Sequence, residues 1–64
     1  MNYNIKKIRK EQKITQQKLS EISGISRTTI ALLETGRKKE TSTKTLLAIA
    51  NALGVSVESL FFLD

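Results

Sequence analysis

Three stretches of this chain begin with a serine or threonine and end with a glycine. They cover residues 15–24, 26–36 and 42–54. A hydroxyl side chain at a helix start accepts a hydrogen bond from an unpaired backbone N–H, and glycine adopts the left-handed conformation that ends a helix. Each stretch is therefore predicted to be one short helix. The alternation of apolar and polar residues that is typical of a β-strand is almost absent, so no strand is predicted.

Two further segments complete an all-α prediction. Residues 4–12 place Ile5 and Ile8 one turn apart, and Ser56 is expected to cap a short last helix that reads "VESLFFLD". The predicted fold is a compact five-helix bundle, with residues 1–64 as a single domain. Besides the first segment, the expected core positions are Leu19, Ile22, Ile30, Leu33, Leu46, Ile49, Ala50 and Leu53.

The composition excludes several kinds of functional site. The 64 residues include no cysteine, histidine or proline, so the chain has no disulfide framework, no zinc-finger ligand set and no His-based triad. Its carboxylates are scattered about one per helix, which assembles no convincing acid/base pair. We therefore expect neither an enzyme nor a metal site, no cofactor, and no small-molecule ligand.

The charge favours a polyanionic partner. Eleven Lys and Arg residues against six acids give a net charge of +5, and such a field on a small surface attracts nucleic acid. From charge alone, a merely soluble basic surface is an equally good interpretation. No apolar stretch approaches the roughly 18 residues that span a bilayer, and the N-terminus is charged where a signal peptide is apolar. A cytoplasmic protein without membrane contact is expected.

A specific resemblance comes from the second and third segments. They are separated only by "GIS", a spacing typical of a helix-turn-helix. The stretch "TQQKLSEISGISRTTIALLETG", with the later "TLLAIANALGVSVESLF", resembles the DNA-binding domain of phage repressors and Cro, also called the xenobiotic-response-element type. The resemblance covers residues 5–60 and implies a lambda-repressor-like fold. It also implies a homodimeric transcriptional repressor on pseudo-palindromic double-stranded DNA, with the third segment in the major groove.

The outward face of the third segment supplies the candidate base contacts. With Ile30 and Leu33 directed at the core, a rotation of about 100° per residue puts Thr28 nearly opposite, with Arg27 on the flank. In the groove, this face would read base edges through Arg27, Thr28, Ala31 and Leu32. Each has an alternative: Arg27 could neutralise a phosphate or lie in solvent, and a lone surface leucine is ordinary.

The candidate phosphate contacts surround that face. Gln16 matches a glutamine that the resembling family uses to bind a phosphate at the start of the second helix, and its alternative is an ordinary polar residue at a helix start. The others are Lys18, Thr29, Arg37, Lys38 and Lys39, with solvated side chains as the alternative for the cations. Lys13 stands where the family often has glycine, which costs roughly 1 kcal/mol or more if the position is left-handed. The following loop lacks the family's usual proline, so its alignment over residues 39–43 stays open.

Two structural roles complete the expectations. Arg9 and Glu34 match an arginine and a glutamate that pair between the first and third helices of the resembling repressors. Leu60, Phe61 and Phe62 hold more apolar surface than a short last helix can bury, which favours a homodimer interface there. The alternative function is a protein-interaction module, such as an antitoxin-like or regulatory-subunit domain, whose basic face is incidental.

Overall fold

The computed structural model describes residues 3–38 and 40–61. Within these ranges, four α-helices and one 3-10 turn follow one another: α1 Ile5–Glu11, α2 Gln16–Ser23, α3 Arg27–Thr35, α4 Thr43–Leu53 and the 3-10 turn Val57–Leu60. The all-helical prediction is confirmed. The described part of the expected fifth helix is one 3-10 turn. No helix in the described ranges has the length and apolarity needed to cross a membrane.

The helix boundaries follow the serine, threonine and glycine positions. The hydroxyl oxygens of Thr15, Ser26 and Ser42 each accept a hydrogen bond from the backbone N–H three residues later, at 3.0 Å, 3.1 Å and 3.1 Å. The glycines that end α2, α3 and α4 have φ values of 76°, 78° and 70°. These local signals placed the first and last turns of three helices correctly. Ser56 makes no side-chain cap before the 3-10 turn.

The core lies between all five elements. α2 packs against α3 and α4, α1 packs against α3, and the 3-10 turn packs against α4. The fully buried large side chains are Ile5, Leu19, Ile30, Leu33, Ile49 and Leu60. The prediction for Ile22 is wrong, because this side chain is 46% exposed. Leu19 is the buried residue of α2, and a step of three residues turns Ile22 about 60° away from that direction.

The N-terminal segment closes on the 3-10 turn. The N–H of Asn4 donates to the carbonyl of Leu60 at 2.6 Å, and Tyr3 forms an isolated antiparallel bridge with Phe61. The rings of Tyr3 and Phe61 lie 5.5 Å apart at an angle of 50°. The Leu60 side chain belongs to the core and is 0% exposed inside the protomer, so its prediction as a dimer-interface residue is wrong. Phe61 is half-buried, and Phe62 lies outside the described residues.

Lys13 ends the first helical segment in a left-handed conformation. Its φ is 59°, and it is the one non-glycine residue in the described ranges with a positive φ. Its N–H donates to the carbonyl of Lys10 at 3.0 Å, so the strained residue completes the turn after α1. A side chain with a Cβ costs about 1 kcal/mol or more there. The strain expected at this departure from the family pattern is therefore present.

Candidate nucleic-acid interface

The start of α3 presents two side chains that can read an external partner. Arg27 and Thr28 are both exposed in the first turn, with Thr28 nearly opposite the fully buried Ile30 and Leu33 and Arg27 on the flank. Ser26 fixes this turn, because its hydroxyl accepts from the N–H of Thr29 at 3.1 Å. A guanidinium and a hydroxyl thus project from a helix end whose backbone is held by its cap.

Ala31 and Leu32 continue the same side of α3, but both are half-buried. They lie three and four residues after Thr28, which places them one turn along the same helix face. The expectation of an exposed leucine at position 32 is wrong. The chain after α3 turns back at this point, since the N–H groups of Arg37 and Lys38 donate to the Leu32 carbonyl at 3.1 Å and 3.2 Å.

The candidate phosphate contacts occupy three places around α3. Lys18 is exposed in the first turn of α2, which packs against α3. Arg37 and Lys38 are exposed just beyond the end of α3, and Lys39 lies outside the described residues. Thr29 is half-buried, and its hydroxyl oxygen accepts from Ser26 Oγ at 2.9 Å, which leaves its own proton available. Hydrogen-bond donors therefore lie near the first turn of α3 and just after its last turn.

Gln16 belongs to a buried polar cluster. Its Nε2 donates to Glu34 Oε1 at 3.0 Å. Glu34 Oε2 also lies 2.8 Å from Arg9 Nε, and Oε1 accepts from Arg9 Nη2 at 3.0 Å. The third nitrogen of Arg9, Nη1, donates to the Ile14 carbonyl at 2.8 Å. The side chains of Arg9 and Glu34 are only 9% and 2% exposed, so the ion pair between α1 and α3 is shielded from water, whereas Gln16 of α2 is half-buried.

The charges of the cluster stabilise one another. Burial by itself would raise the pKa of the Glu34 carboxyl. The hydrogen bonds from Arg9 and Gln16, with the charges of Arg9 and Lys6, outweigh burial and hold that pKa below its ordinary value. The hydrogen bond to Glu34 raises the pKa of the Arg9 guanidinium against the opposing effect of burial. Both groups are therefore charged at neutral pH.

Sequence reasoning missed two parts of this cluster. The bond from Gln16 to Glu34 joins residues 18 positions apart, and no periodicity connects them. The acceptor at Ile14 is a backbone carbonyl, which carries no side-chain signal at all. Gln12 Nε2 donates in the same way to the Leu53 carbonyl at 2.6 Å, 41 positions away. Such partners become visible only when the helices are packed.

Comparison with known proteins decides the family. The helix-turn-helix family model matches residues 5–60. The chain belongs to the helix-turn-helix family. Members of this family are DNA-binding transcriptional regulators and not enzymes. α2 and α3 form the helix-turn-helix of this domain, and the turn between them contains Gly24, Ile25 and Ser26.

Two relatives and one solved structure resemble the helix-turn-helix domain over most of its length. An HTH-type transcriptional regulator of Bacillus subtilis, YqaE, is 42% identical over 57 residues, covering 89% of this chain and 48% of the relative. The immunity repressor protein of Bacillus phage phi105 is 45% identical over 56 residues, covering 88% of this chain and 38% of the repressor. The chain thus spans about half or less of these relatives.

One solved structure with the same fold is the restriction-modification controller protein C.AhdI of Aeromonas hydrophila. It superimposes with a TM-score of 0.84 at 26% identity, covering 91% of this chain and 86% of the controller protein. The helical arrangement of the helix-turn-helix domain is therefore that of a known controller protein.

Proposed function

We propose that this helix-turn-helix domain binds double-stranded DNA sequence-specifically, with α3 in the major groove. The observation that carries the proposal is the exposure of Arg27 and Thr28 at the start of α3, while Ile30 and Leu33 of the same helix are fully buried. In this motif the recognition helix enters the groove with its N-terminal residues at the base edges. The excess of basic residues supplies the attraction to phosphate.

The residues divide into readers and positioning contacts. Arg27 would donate two hydrogen bonds to the O6 and N7 atoms of a guanine, and Thr28 would donate to a base or touch a thymine methyl. The half-buried Ala31 and Leu32 retain apolar surface on the same side of α3 for thymine methyl groups. The proposed phosphate contacts are Gln16, Lys18, Thr29, Arg37, Lys38 and Lys39, which orient the domain without reading sequence.

The proposed assembly is a homodimer on a pseudo-palindromic operator. The first two turns of α3 offer about four reading side chains, too few for selectivity by one domain. The half-buried Phe61, next to Phe62, is the proposed contact between the two copies. Repression is the proposed outcome, and the likeness to the phage phi105 immunity repressor supports it.

Selection of bound sites from a random duplex library tests this function. We expect enriched sites with dyad symmetry and half-sites about 10 to 10.5 bp apart, centre to centre. Sedimentation of the complex should give two chains per duplex. Sites without symmetry, together with a monomer at micromolar concentration, would contradict the dimer. If no sequence is enriched, the domain does not read DNA, and the protein-interaction module replaces this proposal.

A further inference from the structure

The amide of Gln16 is held by one hydrogen bond and retains a second donor. One N–H of Nε2 points to Glu34 Oε1 at 3.0 Å. The amide group is planar, so fixing one N–H also fixes the direction of the other. No residue in the described ranges accepts from that second N–H. Gln16 is also the first residue of α2, where the backbone N–H groups of the first turn favour an anion.

The acceptor that holds Gln16 is itself immobilised. The Glu34 side chain is 2% exposed, and Arg9 binds it through two nitrogens at 2.8 Å and 3.0 Å. Arg9 is fixed in turn by its bond to the Ile14 carbonyl. The guanidinium also neutralises the carboxylate, so Glu34 can hold the amide without repelling an incoming phosphate.

The neighbouring Gln17 makes the opposite arrangement. Its Nε2 donates to Glu21 Oε2 at 3.3 Å, and both residues are exposed on the surface of α2. Nothing besides this bond holds Glu21 in the described structure, so water competes for both groups. Each of these two consecutive glutamines therefore donates a hydrogen bond to a glutamate, but the glutamate is buried for Gln16 and exposed for Gln17.

We infer that Glu34 is a positioning residue for DNA binding, which holds the Gln16 amide so that its second N–H meets a phosphate oxygen. The inference rests on the proposed function. A side chain already ordered in the free protein loses less conformational freedom when it binds. Glu34 thus acts on DNA through Gln16, in addition to its pairing with Arg9 across the core.

The first test needs no variant. Nitrogen-15 relaxation of the glutamine side chains should give Gln16 Nε2 an order parameter of about 0.85, the value of rigid backbone, in the DNA-free protein. Gln17 Nε2 serves as the internal control and should fall below about 0.6. Equal mobility of the two amides would overturn the inference, because Glu34 would then hold nothing in place.

The second test measures affinity for a selected duplex and for a scrambled duplex. Glu34→Gln should weaken both about three- to tenfold, because an uncharged amide oxygen holds the Gln16 amide less firmly than a carboxylate does. The two losses should be equal, because a phosphate contact carries no sequence information. Glu21→Gln is the matched control. It removes the same charge from a Gln–Glu pair on the surface and should leave both affinities unchanged or slightly higher. Circular dichroism at the assay temperature ensures that only folded variants are compared.

The decisive comparison uses a background without the Gln16 amide. In Gln16→Ala, the further change Glu34→Gln should alter affinity less than about twofold, because coupled residues are not additive. Two results would overturn the inference. In one, Glu34→Gln still lowers the DNA affinity about three- to tenfold in the Gln16→Ala protein. In the other, Glu34→Gln in the wild-type protein binds DNA as tightly as Glu21→Gln does. Both results leave DNA binding itself intact. A wild-type domain that binds neither duplex overturns the proposed function and the inference together.

Discussion

Arg9 on α1 and Glu34 on α3 form an ion pair of 2.8 Å whose side chains are 9% and 2% exposed. The pair connects residues 25 positions apart and lies where α1 packs against α3. A pair so well shielded from water behaves differently from the surface pairs of a small domain, because a remaining partner cannot recover its hydration.

Removing one member of this pair should destabilise the domain strongly. We expect Arg9→Met or Glu34→Gln to lower the free energy of unfolding by about 3 kcal/mol, because each leaves a buried charge without its counter-charge. The double variant should lose less than the sum of the two single losses. Urea denaturation of all three measures the coupling. As a control, the exposed Glu21→Gln should change stability by less than about 0.5 kcal/mol. A coupling near zero would show that the pair contributes nothing to folding.

The same carboxyl should make stability depend on pH. The folded pKa of Glu34 is below its ordinary value, so its contribution is fully present above the unfolded pKa of about 4.3. The contribution is lost as the pH falls through the folded pKa. Urea titrations between pH 7 and pH 2 should therefore show a constant stability gap between wild type and Glu34→Gln down to about pH 5, which narrows below about pH 4. A gap that is independent of pH would contradict this assignment.

Relieving the strain at position 13 should stabilise the domain. Lys13 has a φ of 59°, which glycine adopts without a steric penalty. We expect Lys13→Gly to raise the melting temperature and to increase the free energy of unfolding by about 0.5 to 1 kcal/mol. This figure already includes the opposing effect of the greater freedom of glycine in the unfolded chain. The control is Lys10→Gly, the same replacement inside α1, which should cost about 1 kcal/mol. If both variants are destabilised alike, position 13 is not strained.

Readers and positioning contacts should respond differently to substitution. Arg27→Ala and Thr28→Ala should each weaken the free energy of binding to the selected duplex by about 1 to 3 kcal/mol and scarcely change binding to scrambled DNA. Lys38→Ala should weaken both duplexes equally and lower the salt slope by about one unit. Titrations at several salt concentrations measure both effects.

A threonine remote from α3 in sequence provides the control for the readers. Thr43 is exposed in the first turn of α4, directly after a serine cap. Thr43→Ala should therefore leave the preference between the two duplexes unchanged. Equal losses on both duplexes for the Arg27, Thr28 and Lys38 variants would show that α3 does not read bases.

Leu60 should matter for folding and not for association. Its side chain is 0% exposed and belongs to the core. Leu60→Ala should cost about 2 to 5 kcal/mol of stability, because it leaves a cavity among well-packed side chains. Thermal unfolding measures this loss. A Leu60→Ala domain that keeps its stability but no longer dimerises would show that Leu60 acts in the dimer interface.

The sequence by itself determined the helices and their ends. Thr15, Ser26 and Ser42 start α2, α3 and α4, and each helix stops at a glycine with positive φ. These signals are local: a cap bonds to an N–H three residues away, and glycine needs no tertiary contact to become left-handed. The family resemblance and the outward direction of Arg27 and Thr28 came from the same short-range patterns.

Only the tertiary structure decided which surfaces remain open and which polar groups meet. Ile22 is exposed and Leu60 is buried, although both lie in apolar patterns. Burial depends on what the neighbouring elements cover, and Leu60 lies in the core because its 3-10 turn packs against α4. The bond between Gln16 and Glu34 has the same origin. A buried carboxylate accepts whichever donors packing brings to it, and α1 and α2 bring those donors from far along the chain.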